Sequence, residues 1–212
     1  MDWRQLAYWN GEGSTKSFAH PLRLEWLAGL AEDACILDYG CGYGRNLATL
    51  HEHGWRGGVG VDFAGAMIAR GHGLYPHLDL RAIDGLPLAE PDGAFAAVLL
   101  FAVLTCIPGD EDQQALVAEL ARLLRPGGLL YLSDYPLQID ARNRARYEAG
   151  RGRHGVYGVW DREDGGVFRH HDPAWFDELL ASFDIIRRET LETVTLGGNA
   201  AQAVQILARK PL

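Results

Sequence analysis

The chain has 212 residues, 48 % of them hydrophobic, which suits one α/β domain with a sizeable core and leaves little room for a second. A net charge of −8 argues against tight binding to naked nucleic acid, where a basic face supplies most of the affinity. Residues 1–13 lack a basic-then-apolar leader pattern, and the longest apolar run, 94–106, is too short to span a bilayer. Cys35, Cys41 and Cys106 show no C-x-x-C spacing and read as reduced thiols, so the expected location is the cytoplasm.

Residues 1–20 are polar and aromatic, with Trp3, Tyr8, Trp9 and Phe18 among glycines and serines. Pro21 predicts the start of a helix carrying Leu22, Trp26, Leu27 and Leu30 on one face. Next, Cys35, Ile36 and Leu37 form a short apolar run that ends in Asp38, followed by Gly40, Gly42 and Gly44 and a helix-forming stretch over 46–53. This predicts a buried strand, a tight turn and a helix whose free N–H groups face the turn. Glycine suits such a turn because a side chain would hold a ligand away from the backbone. Gly58-Val59-Gly60-Val61-Asp62 reads as a second strand, again ending in an acid.

A short helix over 65–70 and a glycine-rich turn lead to a third strand over 78–83, ending near Asp84. The unbroken apolar run 97–100 predicts a central parallel strand covered on both faces. A helix over 111–124 and a fifth strand over 129–133 follow. Residues 134–172 change character, with Tyr135, Tyr147, Tyr157, Trp160, many glycines and Arg142, Arg144, Arg146, Arg151 and Arg153. Asp172-Pro173 supplies an N-cap and first-turn proline for a last helix. Strands over 183–192 and 202–208, joined through Gly197-Gly198-Asn199, predict a terminal antiparallel hairpin.

The glycine spacing is G-x-G-x-G rather than the G-x-G-x-x-G of a dinucleotide loop. Asp38 at its mouth repels a phosphate and suits a cation, while Asp62 is placed to accept from ribose hydroxyls. S-adenosylmethionine has the ribose and the positive charge, and no phosphate.

Four motifs stand in order: Asp38-Tyr39-Gly40-Cys41-Gly42-Tyr43-Gly44, Gly60-Val61-Asp62, Asp84-Gly85-Leu86-Pro87, and Arg125-Pro126-Gly127-Gly128 before the fifth strand. Together they resemble the class I S-adenosylmethionine-dependent methyltransferases over roughly the middle half of the chain. The resemblance implies a Rossmann-like, doubly wound, mostly parallel sheet of seven strands with a terminal antiparallel hairpin strand, between two helical layers. It implies one domain over 1–212, with an N-terminal flap (1–31) and a lid insert (134–172). The implied cofactor residues are Asp38, Gly40, Cys41 and Gly42 in the loop, Asp62 and Phe63 after the second strand, Asp84 and Gly85 after the third, and Phe101 and Leu104 against the adenine. The family's adenine-binding acid falls at Ala82 here, so Asp84 takes that role by proximity. Lys16, Phe18 and His20 of the flap are further candidates to face the ligand.

Methyl transfer asks chiefly for alignment and exclusion of water, with a base only where the acceptor holds its proton. The candidates are His170 or His171, only one of which reaches a pocket from an extended segment, and Tyr135. His170, His171 and Asp172 are too crowded along the backbone to share a metal, so none is expected. Cys106 reads as core, and Phe101-Ala102-Val103-Leu104 lacks the Pro-Pro motif of enzymes that methylate amino groups of nucleic acids and proteins. The expected activity is transfer to oxygen, nitrogen or sulfur of a small molecule, with the lid arginines suggesting an acidic group on it. A homodimer is left open. The alternatives are a peptide or protein methyltransferase, a non-catalytic cofactor-binding subunit, and a nicotinamide oxidoreductase, the last opposed by Asp38 and the hairpin.

Overall fold

The computed structural model describes residues 3–17 and 19–212. Its strands are β1 (Ile36–Tyr39), β2 (Gly58–Asp62), β3 (Asp79–Ala82), β4 (Phe95–Phe101), β5 (Leu124–Asp134), β6 (Val159–Asp161), β7 (Val167–Arg169), β8 (Asp184–Val194) and β9 (Ala200–Arg209). A seven-stranded sheet has the order β3-β2-β1-β4-β5-β9-β8, and β6 and β7 form a separate hairpin. The β9 strand runs antiparallel to both β5 and β8, and the other pairings of the main sheet are parallel. The expected sheet and its terminal hairpin are therefore present.

Alternation along the strands divides the core between two faces. Leu37, Val98, Leu100, Leu130 and Leu132 share one cluster with Leu116, Leu120 and Leu123 of α4 (Asp110–Leu123) and Phe176 of α6 (Pro173–Leu179). Ile36, Ala97, Leu99 and Tyr131 share another with Leu47 and Leu50 of α2 (Arg45–Glu52) and Ile68 of α3 (Gly65–Leu74). Every residue of β4 is buried because both of its faces are covered. The Asp172 side chain caps α6 by accepting from Ala174 N, as its sequence position suggests.

A third cluster roofs the carboxyl ends of the strands. It joins Tyr8 and Trp9 of α1 (Trp3–Asn10), Tyr147 of α5 (Ala141–His154), and Trp160 and Phe168 of the β6–β7 hairpin. Gln5 fastens α1 to this hairpin: its amide donates to Val167 O (2.5 Å) and Cys106 O (2.7 Å), and its carbonyl accepts from Val167 N (3.0 Å). Thr105 Oγ1 donates to Arg169 O at 2.7 Å, tying the hairpin to the loop after β4.

Three local expectations are corrected. The helix expected from Pro21 is one 3₁₀ turn, Leu24–Trp26, although Trp26 and Leu27 are buried as their spacing requires. Here the sheet takes the backbone groups that a helix would use: Gln205 Nε2 donates to Pro21 O (2.6 Å), and Arg23 N donates to Tyr131 Oη (3.3 Å). Helix α3 continues past residue 70 through Gly71 and Gly73. Gly71 is there because a Cβ would stand 2.9 Å from Tyr43 O, so the glycine marks close helix-to-loop approach rather than a turn. The β5 strand starts at Leu124, with the Pro-Gly-Gly stretch absorbed as an irregularity in its pairing with β4.

Candidate functional site

The strand order reverses between β1 and β4, and a crevice opens beyond their carboxyl ends, where open α/β sheets bind ligands. Three cavities lie there in a row. The central one is walled by Gly40, Cys41, Arg45, Asn46, Phe101 and His20. On one side it continues, through Gly40, Asp62, Phe63 and Val103, into a cavity bounded by Tyr39, Ile83, Gly85 and Leu86. On the other it meets, at Trp9, His20 and Ala102, an outer cavity lined by Tyr135, Arg146, Trp160, Arg162, Phe168 and His170. Ala102 sits at φ 55°, the one non-glycine left-handed residue among those described, where β4 turns away between the central and outer cavities.

The glycine loop is held open by its backbone. Gly40 lies at φ 70°, and a Cβ there would overlap the Val103 side chain. Gly42 (φ 56°) and Gly44 (φ 86°) are also left-handed, and Gly44 opens α2. Asp62 latches the loop: its two oxygens accept from Gly42 N and Ala64 N, each at 2.8 Å. Burial raises the Asp62 pKa, and these two N–H groups act against the rise.

Asp38 is buried behind the loop, with Asn46 Nδ2 at 3.5 Å from its Oδ1. Burial lifts its carboxyl to about 7, while Asn46 and Arg45 pull the other way. Asp38 Oδ2, Asn46 Oδ1 and His20 Nε2 are all buried, with no hydrogen-bond partner among the described residues. Asp38 Oδ2 and Asn46 Oδ1, beside the bare-backbone loop, are unfilled acceptors that call for a donor, and an ammonium supplies one. An amino-acid ligand with a nucleoside end therefore fits the donor set present: acceptors at the loop, a carboxylate at the end of β2, and apolar walls beyond.

Not every expected residue meets the crevice. Leu104 is fully buried among Leu116, Leu120 and Phe176, and it belongs to the core rather than to a cavity wall. Phe101 lines the central cavity with Asn46 and packs against Tyr131 (ring centroids 4.9 Å apart), on the far side of Gly40 from Ile83 and Leu86. Asp84 is exposed on an open groove over 82–89, while its neighbour Gly85 reaches the apolar cavity. Lys16 Nζ stands 3.9 Å from Asp164 of the roof, and Phe18 lies outside the described residues. Cys106, expected as core, lines all three cavities, and burial keeps its thiol protonated.

The two histidines part as backbone alternation requires. His170 lines the outer cavity, stacked on Tyr135 with ring centroids 5.1 Å apart. His171 is fully buried, taking a hydrogen bond from Gln113 Nε2 (2.9 Å), with Nδ1 3.3 Å from Tyr135 O. Burial lowers the His171 pKa to about 3 and drives that of His170 well below its usual range, so both are neutral at pH 7. Tyr135 lines the outer cavity, its hydroxyl held protonated by burial. Among the described residues no group of three or more His, Cys, Asp or Glu is placed to hold a metal ion, and no helix is long and apolar enough to cross a membrane. All three cysteines are free.

Sequence reasoning gave Arg146 no more weight than its neighbours, yet the fold singles it out. Its guanidinium stacks 3.7 Å over the Trp160 ring at the outer cavity, and no carboxylate forms an ion pair with it among the described residues. Arg162, beside it, is already paired with Asp164 at 2.7 Å.

Residues 36–128 match the family model described as a methyltransferase domain. That stretch is similar to methyltransferase domains, and the fold is the Rossmann-like one of class I methyltransferases. It is 33 % identical over 137 residues to human (Homo sapiens) methyltransferase-like protein 27, across 64 % of this chain and 54 % of that protein. It is 31 % identical over 136 residues to the ubiquinone biosynthesis O-methyltransferase of Xanthomonas oryzae, across 59 % of this chain and 55 % of that one. The chain thus spans about half the length of these curated relatives. Its fold matches a crystal structure of an S-adenosylmethionine-dependent methyltransferase from Methanosarcina mazei with a TM-score of 0.85 at 23 % identity, over 91 % of this chain and 100 % of that one. It also matches a Burkholderia thailandensis N-methyltransferase crystallised with S-adenosylhomocysteine, with a TM-score of 0.64 at 18 % identity, over 99 % of this chain and 81 % of that one.

Proposed function

We propose that this chain transfers the methyl group of S-adenosylmethionine to an oxygen, nitrogen or sulfur of a small molecule that carries an acidic group. The bound cofactor would supply a methyl on a sulfonium, and what falls to the protein is to align the acceptor and exclude water. Gly40, Asn46 and Asp38 would hold the amino-acid end, Asp62 the ribose, and Phe63, Ile83, Gly85 and Leu86 the base. The segment 134–172 and the N-terminal arm serve as the lid, closing the outer cavity with Trp160, Phe168 and Trp9.

One observation carries the acidic group: the Arg146 guanidinium, spread on Trp160 and without a carboxylate partner. His170 adds a polar group to the same wall, with Tyr147 Oη, which accepts from Gln138 N (3.2 Å), 2.6 Å from its Nδ1. The test is calorimetry with benzoate and benzamide on protein loaded with S-adenosylhomocysteine. Benzoate is expected to bind at least about tenfold tighter than benzamide, and Arg146→Met to erase the difference. Equal affinities remove the acidic group from the reading, and failure of S-adenosylhomocysteine to bind removes the cofactor.

A further inference from the structure

We propose that His20 accepts the proton of the methyl acceptor, so that the reacting atom of that acceptor is a hydroxyl oxygen. This rests on the reading of the central cavity as the cofactor site and the outer one as the acceptor site. His20 lines both, at the junction where a methyl group would pass from one to the other. His20 is 2 % exposed and held from three directions. Nδ1 lies 2.8 Å from Ser133 Oγ, Arg45 Nη2 donates to its backbone carbonyl at 2.7 Å, and the Tyr135 ring meets it edge-on with centroids 4.6 Å apart.

In this assignment Nδ1 carries the ring proton and donates to Ser133 Oγ, and Nε2 keeps its lone pair. Nε2 is buried and has no hydrogen-bond partner among the described residues.

With the cofactor bound, the acceptor oxygen would bond to the methyl carbon as the carbon–sulfur bond breaks and its electron pair goes to sulfur; the O–H bond breaks with its pair left on oxygen, and the proton forms an N–H bond at Nε2. The imidazolium then returns the proton to solvent when the lid opens. Burial, with help from Arg45, lowers the His20 pKa to about 4, which keeps the lone pair available at pH 7. A base this weak still suffices, because an oxygen that has gained a methyl while keeping its proton is a strong acid.

The test reads ¹⁵N shifts of His20 in labelled protein and does not need the natural acceptor. Without ligand, the neutral ring should show a bare Nε2 and a protonated Nδ1 at pH 7. In the S-adenosylhomocysteine complex, phenol should move the Nε2 resonance and anisole, which has no O–H, should not. His20→Asn, whose amide can still donate to Ser133, should, once saturated with S-adenosylhomocysteine, bind phenol about tenfold more weakly than the native protein and anisole as the native protein does. A proton on Nε2, or phenol and anisole acting alike, overturns the assignment. Loss of S-adenosylhomocysteine binding by native protein instead overturns the cofactor reading, and benzoate tests the acidic group separately.

Discussion

Asp62 has two tasks in this reading, and Asp62→Asn separates them. In the folded chain its carboxylate takes one hydrogen bond from Gly42 N and one from Ala64 N, both 2.8 Å long, which fixes the glycine loop against the end of β2. Asparagine keeps the shape and one acceptor oxygen, and it turns an NH₂ toward the other N–H. A hydrogen bond to a charged group contributes about 1.5–3 kcal/mol, so Asn should destabilise by roughly that amount, and Ala, which leaves both N–H groups unpaired, by about twice as much. The carboxylate also has lone pairs left to accept from ribose hydroxyls, and losing the charge there should weaken S-adenosylhomocysteine by at least about tenfold. Urea unfolding gives the first quantity and calorimetry on the folded fraction gives the second. If Asp62→Asn loses stability yet binds S-adenosylhomocysteine within about twofold of native, Asp62 is a latch only and the ribose assignment fails.

Two further outcomes follow from the same loop. The Asp38 carboxyl, at about 7 in the fold, lies above its unfolded value, so the native state holds an extra proton between about pH 4 and 7, and this contribution to stability is lost as pH rises through that window. A ligand ammonium favours the carboxylate, so S-adenosylhomocysteine affinity should fall by roughly tenfold per unit below pH 7, with Asp38→Asn flattening the profile. A native profile that is flat from pH 5 to 8 would sink this. Gly40→Ala should destabilise by about 2–4 kcal/mol, from the left-handed backbone plus the overlap with Val103. Adding Val103→Ala should restore the steric share alone, and thermal unfolding of the double variant that recovers nothing would show that the overlap was not the cause.

The position of the glycine loop and its two acids was legible in the sequence. Asp38, Gly40, Gly42, Gly44 and Asp62 lie within one strand-turn-helix-strand passage, where local geometry decides position: a strand ends, the backbone must turn left-handed, and a carboxylate is left at the lip. The hairpin at 183–208 and the cap at Asp172 were legible for the same reason, since turn and cap chemistry is local. Leu104 carries the right residue type, but the chain beyond β4 turns it into the core while Phe101, at the strand end, lines the central cavity, and apolar character does not record that direction.

What the chain alone determined is what short-range sterics and hydrogen bonding dictate: the sheet's parallel core, its antiparallel end, and a bare loop between two acids. What only the tertiary structure decided is the outer cavity, because there each group takes its meaning from a partner far away in sequence. Arg146 is set apart from the other lid arginines by the Trp160 ring beneath it, and His170 by Tyr147 Oη at its Nδ1. His20 is set at the junction of two cavities by Ser133, more than a hundred residues on, at its Nδ1.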